Sequence, residues 1–177
     1  TLLTQTRGKV RAVAKGARKP GSRFAARLEP AGHAALQLYE GRELDVVTQA
    51  ESLDVFHGLR DRYDTFTQAM AMLEAVDNVA QERERNIPLY RLLVGALRTL
   101  DRDPSPVVTP AFLWKLLSLE GFHPVLDRCA RCGGEDARFA GFHLAEGGAT
   151  CSSCTETGAQ RYSGETFTLL RQILEGG

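Results

Sequence analysis

The stretch Cys129-Ala130-Arg131-Cys132 to Cys151-Ser152-Ser153-Cys154 holds every cysteine of the chain, and 18 residues separate its two pairs. Two short C-x-x-C turns on neighbouring strands or loops deliver four sulfurs to one point, the tetrahedral donor set of a structural zinc site. One zinc ion bound by Cys129, Cys132, Cys151 and Cys154 is therefore the expected cofactor. The plainer alternatives are two disulfides or four unrelated thiols. Four protein ligands leave no open position for water, so the pattern argues for a metal-stapled module and against zinc catalysis. Gly133 and Gly134 are expected to let backbone N–H groups turn toward a thiolate, and Ser152 and Ser153 suit a tight second turn. His143, between the pairs, is a candidate to replace a sulfur but reads better as a solvated strand histidine.

Working outward, Arg138 to Leu144 and the turn Glu146-Gly147-Gly148 read as a small hairpin carrying the two knuckles. Ser163 is placed to cap a last helix with Phe167, Leu170, Ile173 and Leu174 on its core side. Upstream, steps of three and four give an apolar stripe of Tyr63, Phe66, Met70, Leu73 and Val76 on a helix over 60–79. Glu82 to Asn86 is a solvated break. Pro88 belongs in the first turn of a second helix whose buried face is Leu89, Leu92, Leu93, Ala96, Leu97 and Leu100. Thr109 and Pro110 are expected to cap and start a third helix, with Phe112, Leu113, Leu116 and Leu117 inside and Gly121 as its stop. These three helices should pack together.

Residues 1–51 read as strands. Lys9 to Lys15 alternates, with Val10, Ala12 and Ala14 on one face and Lys9, Arg11, Val13 and Lys15 on the other. Gly16 to Gly21 is a basic loop, and Leu28–Tyr39 with Leu44–Thr48 reads as a hairpin. The 177 residues are 43% hydrophobic with a formal net charge of zero, enough for a core, yet the charge is segregated. The first 28 residues hold Arg7, Lys9, Arg11, Lys15, Arg18, Lys19, Arg23 and Arg27 with no acid; the remainder carries 14 basic and 22 acidic groups. Such segregation points to a polyanion-facing N-terminal end. The candidate DNA surface is Lys9, Arg11, Lys15, Arg18, Lys19 and Arg23, with Arg7 and Arg27 at the margin. Phe24 is either a base-stacking aromatic or core.

No Gly-x-x-x-x-Gly-Lys-Ser/Thr loop, Gly-x-Ser-x-Gly elbow or His-Glu-x-x-His pair occurs, so catalysis is not expected. No run of 18 apolar residues and no signal segment is present, which with the paired cysteines suggests a cytoplasmic protein without membrane contact. The β-like opening at Thr1 and the ending at Gly177 suggest residues missing from both ends.

The run Leu2-Leu3-Thr4, Gly8 to Arg18, the Leu38 to Leu44 hairpin, and Leu116 to Phe122 leading through Pro124 and Leu126-Asp127-Arg128 to Cys129 resemble, in this order, the RecO family of bacterial recombination mediators. The resemblance spans nearly the whole chain. It implies an α+β multi-domain protein with an N-terminal OB-fold β-barrel (1–51), whose first strand would precede Thr1, and a central α-helical domain (52–126). A four-cysteine zinc-binding hairpin (127–158) and a C-terminal helix packed on the helical domain (159–177) complete it. It further implies binding of single- and double-stranded DNA and annealing of complementary strands. Implied partners are RecR, the acidic tail of single-strand-binding protein and, in one branch, RecF, in loading RecA. Two other classes fit parts of the pattern. A zinc-ribbon protein of transcription or translation would gather its cations around the cysteines, whereas Arg128, Arg131 and Arg138 are balanced by Asp127, Glu135 and Asp136. A metal-dependent nuclease would need a carboxylate cluster, and none stands out.

Overall fold

The computed structural model describes residues 1–17, 19, 22, 24, 27–135, 138–156 and 160–176, which form a mixed α+β protein. The chain divides into two compact units, Thr1–Leu113 and Trp114–Gly177.

In the first unit β1 (Leu2–Thr4) pairs antiparallel with β2 (Gly8–Val10). A second sheet has the order β3-β5-β4, where β3 (Ala12–Val13) runs parallel and β4 (His33–Tyr39) antiparallel to the central β5 (Asp45–Asp54). The single strand expected over Lys9 to Lys15 is thus broken at Arg11. Its carbonyl accepts the Asp45 N–H at 3.0 Å and hands the chain from one sheet to the other. The alternation survives the break, for Val10 is buried while Arg11, Val13 and Lys15 are exposed. The strand expected from Leu28 begins only at His33, because Ala31 takes a left-handed φ of 59° and the Gly32 N–H closes a turn onto the Glu29 carbonyl. β5 runs past Ser52 to Asp54, so the change to helix comes later than the sequence pattern suggests. The ladders among the described residues form these two sheets and do not close into a barrel.

Three helices follow, α1 (His57–Arg60), α2 (Tyr63–Val79) and α3 (Ile87–Arg102). The first has no counterpart in the sequence pattern. Asp54 accepts the Phe56 N–H at 3.4 Å as the chain leaves β5, and the Leu59 N–H then reaches the Asp101 carboxylate at the end of α3. On α2 the buried residues are Thr65, Ala69, Met72 and Val76, a face rotated from the expected stripe, and Tyr63 is 83% exposed. The cause is local: the Thr65 hydroxyl donates to the carbonyl of Arg62 and lies within reach of the Gly58 carbonyl in α1, while Ala69 permits close approach. Met70, Leu73 and Val76 face a groove of about 1130 Å³ whose other walls include Leu2 and Leu3 of β1 and Leu36 and Leu38 of β4. α3 follows expectation more closely. Asn86 caps it by accepting the Leu89 N–H, Pro88 sits in its first turn, and Leu89, Leu93, Leu97 and Leu100 are buried.

Sheet and helices of this unit are locked at one point. Gly8, at φ +66°, lies so close to the 82–84 turn that a Cβ would stand 1.8 Å from the Glu84 carbonyl oxygen. Arg83 donates its N–H to the Lys9 carbonyl at 2.8 Å.

The next helix, α4 (Val108–Leu119), starts before Pro110, and Thr109 is not its cap: its hydroxyl bonds Gln68 on α2 at 3.2 Å. Gly121 does stop it, at φ +91°, with Phe122 N–H to Leu117 O at 2.8 Å and Gly121 N–H to Ser118 O at 3.2 Å. In the second unit β6 (Phe139–His143) and β7 (Gly148–Cys151) form the expected hairpin. α5 (Gly164–Glu175) is capped by Ser163, which accepts the Thr166 N–H. Phe167 and Leu170 of α5 join Leu126 and Ala149 in a core to which Trp114, Phe139, Phe142, Tyr162 and Leu174 are added.

Candidate metal centre and nucleic-acid interface

The β6–β7 hairpin brings the two knuckles together. Backbone hydrogen bonds tie Ala130 to Ala149 (2.8 Å) and Ala149 to Val125 (2.8 Å), so the segment before Cys129 lies alongside β7, which ends at Cys151. Close packing demands glycine here: a Cβ on Gly148 would meet the Val125 carbonyl at 2.6 Å, and one on Gly141 would meet Thr155 at 2.7 Å. The four Sγ atoms lie within 4.8 Å of one another, with Cys132 and Cys151 4.0 Å apart. Tetrahedral bonds of about 2.3 Å to a metal place sulfurs about 3.8 Å apart, so the donor set fits a thiophilic ion. All four thiols are free, which removes the disulfide alternative. His143 stays outside the cluster, and its Nδ1 accepts the Glu146 N–H at 3.3 Å in the hairpin turn.

Electrostatics divide the sulfurs. Burial pushes the Cys129 thiol up, but the backbone N–H groups of Cys132, Cys151 and Arg131 outweigh it and bring the thiol to about 6. Hydrogen bonding to the Cys151 and Cys132 sulfurs, reinforced by burial, pushes Cys154 to about 12. One sulfur is thus ready as a thiolate, and a cation is what would release the proton of the last. The backbone N–H groups turned toward the Cys129 sulfur are those of Arg131, Cys132 and Cys151. Gly133 turns at φ +74° and spends its N–H on the Cys129 carbonyl.

Arg131 joins the two knuckles. Its Nη1 donates to the Cys154 carbonyl at 3.2 Å, its Nη2 to Glu156 at 2.8 Å, and its Nε lies 3.3 Å from Glu146. Sequence reading groups Arg131 with the other cations near the cysteines; the signal for its role was the pair of glutamates flanking the second half of the hairpin.

The N-terminal cations separate into two groups. Lys9 is turned inward, with its Nζ 2.6 Å from the Asp77 carbonyl and 3.6 Å from the Asp77 carboxylate. Arg7 lies 3.0 Å from the buried Asp45 carboxylate, which Arg83 engages from the other side. Arg11, Lys15 and Lys19 are exposed, and among the described residues none of them has a carboxylate within ion-pairing distance; Arg27 is exposed as well. Lys15 and Lys19 sit on successive turns closed by Ala17 N–H to Ala14 O and Lys19 N–H to Gly16 O. Arg18 and Arg23, also expected on this surface, lie outside the described residues. Phe24 is core, 6% exposed. No helix among the described residues is long and apolar enough to cross a membrane.

Comparison with known proteins identifies the family. Residues 1–56 match the family model "Recombination protein O N terminal", and residues 60–177 match "Recombination protein O C terminal". The DNA repair protein RecO of Nocardioides sp. (strain ATCC BAA-499 / JS614) is 45% identical over 183 residues, covering 99% of this chain and 75% of that protein. The DNA repair protein RecO of Frankia casuarinae is 42% identical over 184 residues, covering 99% of this chain and 74% of that protein. Two family models that meet near the sheet-to-helix junction, and relatives this similar along the whole chain, show that the chain belongs to the RecO family of DNA repair proteins.

Proposed function

We propose that this chain is a non-enzymatic mediator of recombinational repair in the cytoplasm. It binds single- and double-stranded DNA and anneals complementary strands. With RecR, and with RecF as a further partner, it loads RecA onto DNA coated by single-strand-binding protein, whose acidic tail it contacts. The observation that carries the reading is the exposed set Arg11, Lys15 and Lys19, free of carboxylate partners among the described residues. Phosphate repulsion keeps two strands apart, and cations that are not already spent on acids are what lowers it. Arg18 and Arg23 join this set from sequence. Lys9 and Arg7 belong to the fold instead, which reduces the DNA-facing cations to a core of five.

Zinc is the metal the four thiolates suit best, and it acts as a brace. Bound there, it supplies a cross-link between the knuckles and no open coordination position. The OB-type barrel is likewise a proposal. Among the described residues β1 pairs only with β2 and β4 only with β5, and both line the same groove. A further extended strand placed between these two edges would join the sheets into one curved barrel.

The test is annealing of complementary oligonucleotides without ATP, together with single-strand affinity across a salt series, for the native chain and for Lys15→Glu/Arg18→Glu. Annealing by the native chain, with a weaker affinity and a shallower salt slope in the variant, is expected. Retained affinity at an unchanged slope overturns this surface, and shortened strands would point to a nuclease.

A further inference from the structure

The outer face of the three-stranded sheet carries an aromatic side chain, Tyr39, that has no hydrogen bond or ring contact among the described residues. Val13 of β3 and Tyr39 of β4 both stand opposite Val46 of β5, so the three side chains form one row on one face. The neighbouring rows, Ala12 with Asp45 and Leu38 with Val47, point the other way, for Asp45 and Val47 are buried. Tyr39 is 70% exposed and Val13 36% exposed, and Leu44 in the adjoining loop is exposed too. A large ring on open sheet surface, next to two more exposed apolar side chains, is a platform and not core.

Its surroundings are cationic. Arg11 and Lys15 flank β3, two residues before and two after Val13, and both are exposed; Arg42 is exposed in the loop after Tyr39. Of the acids nearby, Glu40 is held by Arg83 at 3.1 Å, Glu43 stands beside Arg42 in the loop, and Glu51 lies opposite Ala35 at the far end of the face. Phe24, the aromatic that sequence reading offered for stacking, is buried and cannot serve.

We infer that Tyr39 is the base-stacking residue of a single-strand-specific subsite, in which an unpaired base lies on the Tyr39 ring and the flanking phosphates meet Arg11 and Lys15. This rests on the proposed DNA binding and adds to it a division of labour. Cations grip any phosphate backbone, whereas a ring reaches only bases whose faces are open, so Tyr39 discriminates single strands from duplex. The acidic Glu51 end repels the backbone, which directs the strand across the Tyr39 end of the sheet.

The experiment is fluorescence anisotropy of the full chain with a labelled oligothymidine and with an abasic deoxyribose-phosphate strand of equal length. Tyr39→Ala and Tyr39→Leu should each weaken oligothymidine binding about 5- to 100-fold, while Tyr39→Phe stays within about 2-fold of the native chain. None of them should change affinity for the abasic strand. The salt slope should be untouched by Tyr39→Leu and should drop by about 0.7 in Arg11→Gln. Native oligothymidine affinity in both Tyr39→Ala and Tyr39→Leu, or equal losses on both strands, overturns the inference and leaves the proposed function standing. A native chain that binds neither strand overturns the proposed function itself.

Discussion

Nη2 of Arg83 stands 3.0 Å from Oδ1 of Asp45, a carboxylate that is fully buried. Arg7 faces the other oxygen at 3.0 Å, close enough for charge but without hydrogen-bond alignment. A buried carboxylate survives only if compensated, and here one cation comes from the turn between β1 and β2 and one from the turn after α2. Asp45→Asn should destabilise the first unit by about 2 kcal/mol, because its two half-exposed arginines can rehydrate. Arg7→Ala combined with Arg83→Ala should cost more, about 3–5 kcal/mol, since it strands the carboxylate. Urea unfolding of the two variants checks the order; equal losses would contradict it.

Gly8 and Gly147 share nearly the same backbone, φ +66° and +64°, but differ in surroundings: Gly8 is pressed on Glu84 and Gly147 faces open space. Gly147→Ala should therefore cost only the left-handed strain of about 1–2 kcal/mol. Gly8→Ala adds a backbone collision and should leave little folded first unit at 37 °C. Thermal melts of the two single variants compare strain alone with strain plus clash.

Removing metal with a chelator should lower the melting temperature of the Trp114–Gly177 unit, and one equivalent of zinc should restore it. Cys129→Ser should weaken metal binding more than Cys132→Ser, because Cys129 is the buried sulfur that three backbone N–H groups stabilise. Arg131→Ala keeps all four sulfurs yet should lose about 10- to 100-fold in metal affinity, as its bonds to Cys154, Glu146 and Glu156 align the knuckles. Competition with a chromophoric chelator measures all three.

His33 bonds the Tyr90 hydroxyl through Nε2 at 2.7 Å while its Nδ1 is buried without a hydrogen-bond partner among the described residues. Burial, and then the Arg98 charge, hold it below the ordinary 6.5 against the opposing pull of Asp54. The fold thus prefers neutral His33. That contribution is complete above about 6.5 and is lost as pH falls through the lower folded value. Urea midpoints of the native chain should decline as pH falls from about 6.5 toward that lower value, and His33→Gln should flatten this part of the profile.

Much of the second unit was legible because its signals are local. The cysteine spacing, the Gly121 stop and the Ser163 cap each depend on a few adjacent residues, and each appears as expected. The first unit was harder to read for a physical reason. Which face of α2 turns inward depends on Thr65 bonding a carbonyl of α1, and a hydroxyl inside a helix gives no periodic signal. Lys9 and Arg7 were indistinguishable from the free cations until Asp77 and Asp45 arrived from 68 and 38 residues away. Arg131 gave a similar difficulty at shorter range, its partners Glu146 and Glu156 lying 15 and 25 residues on.

The wedge of Gly8 against the 82–84 turn also limits how such proteins can be recombined by design. A chimera that transplants only residues 1–51 onto foreign helices inherits a strand with no seat and an aspartate stripped of Arg83. The portable piece is longer and includes the helix pair α2–α3, so the N-terminal sheets and the scaffold beneath them must be exchanged together.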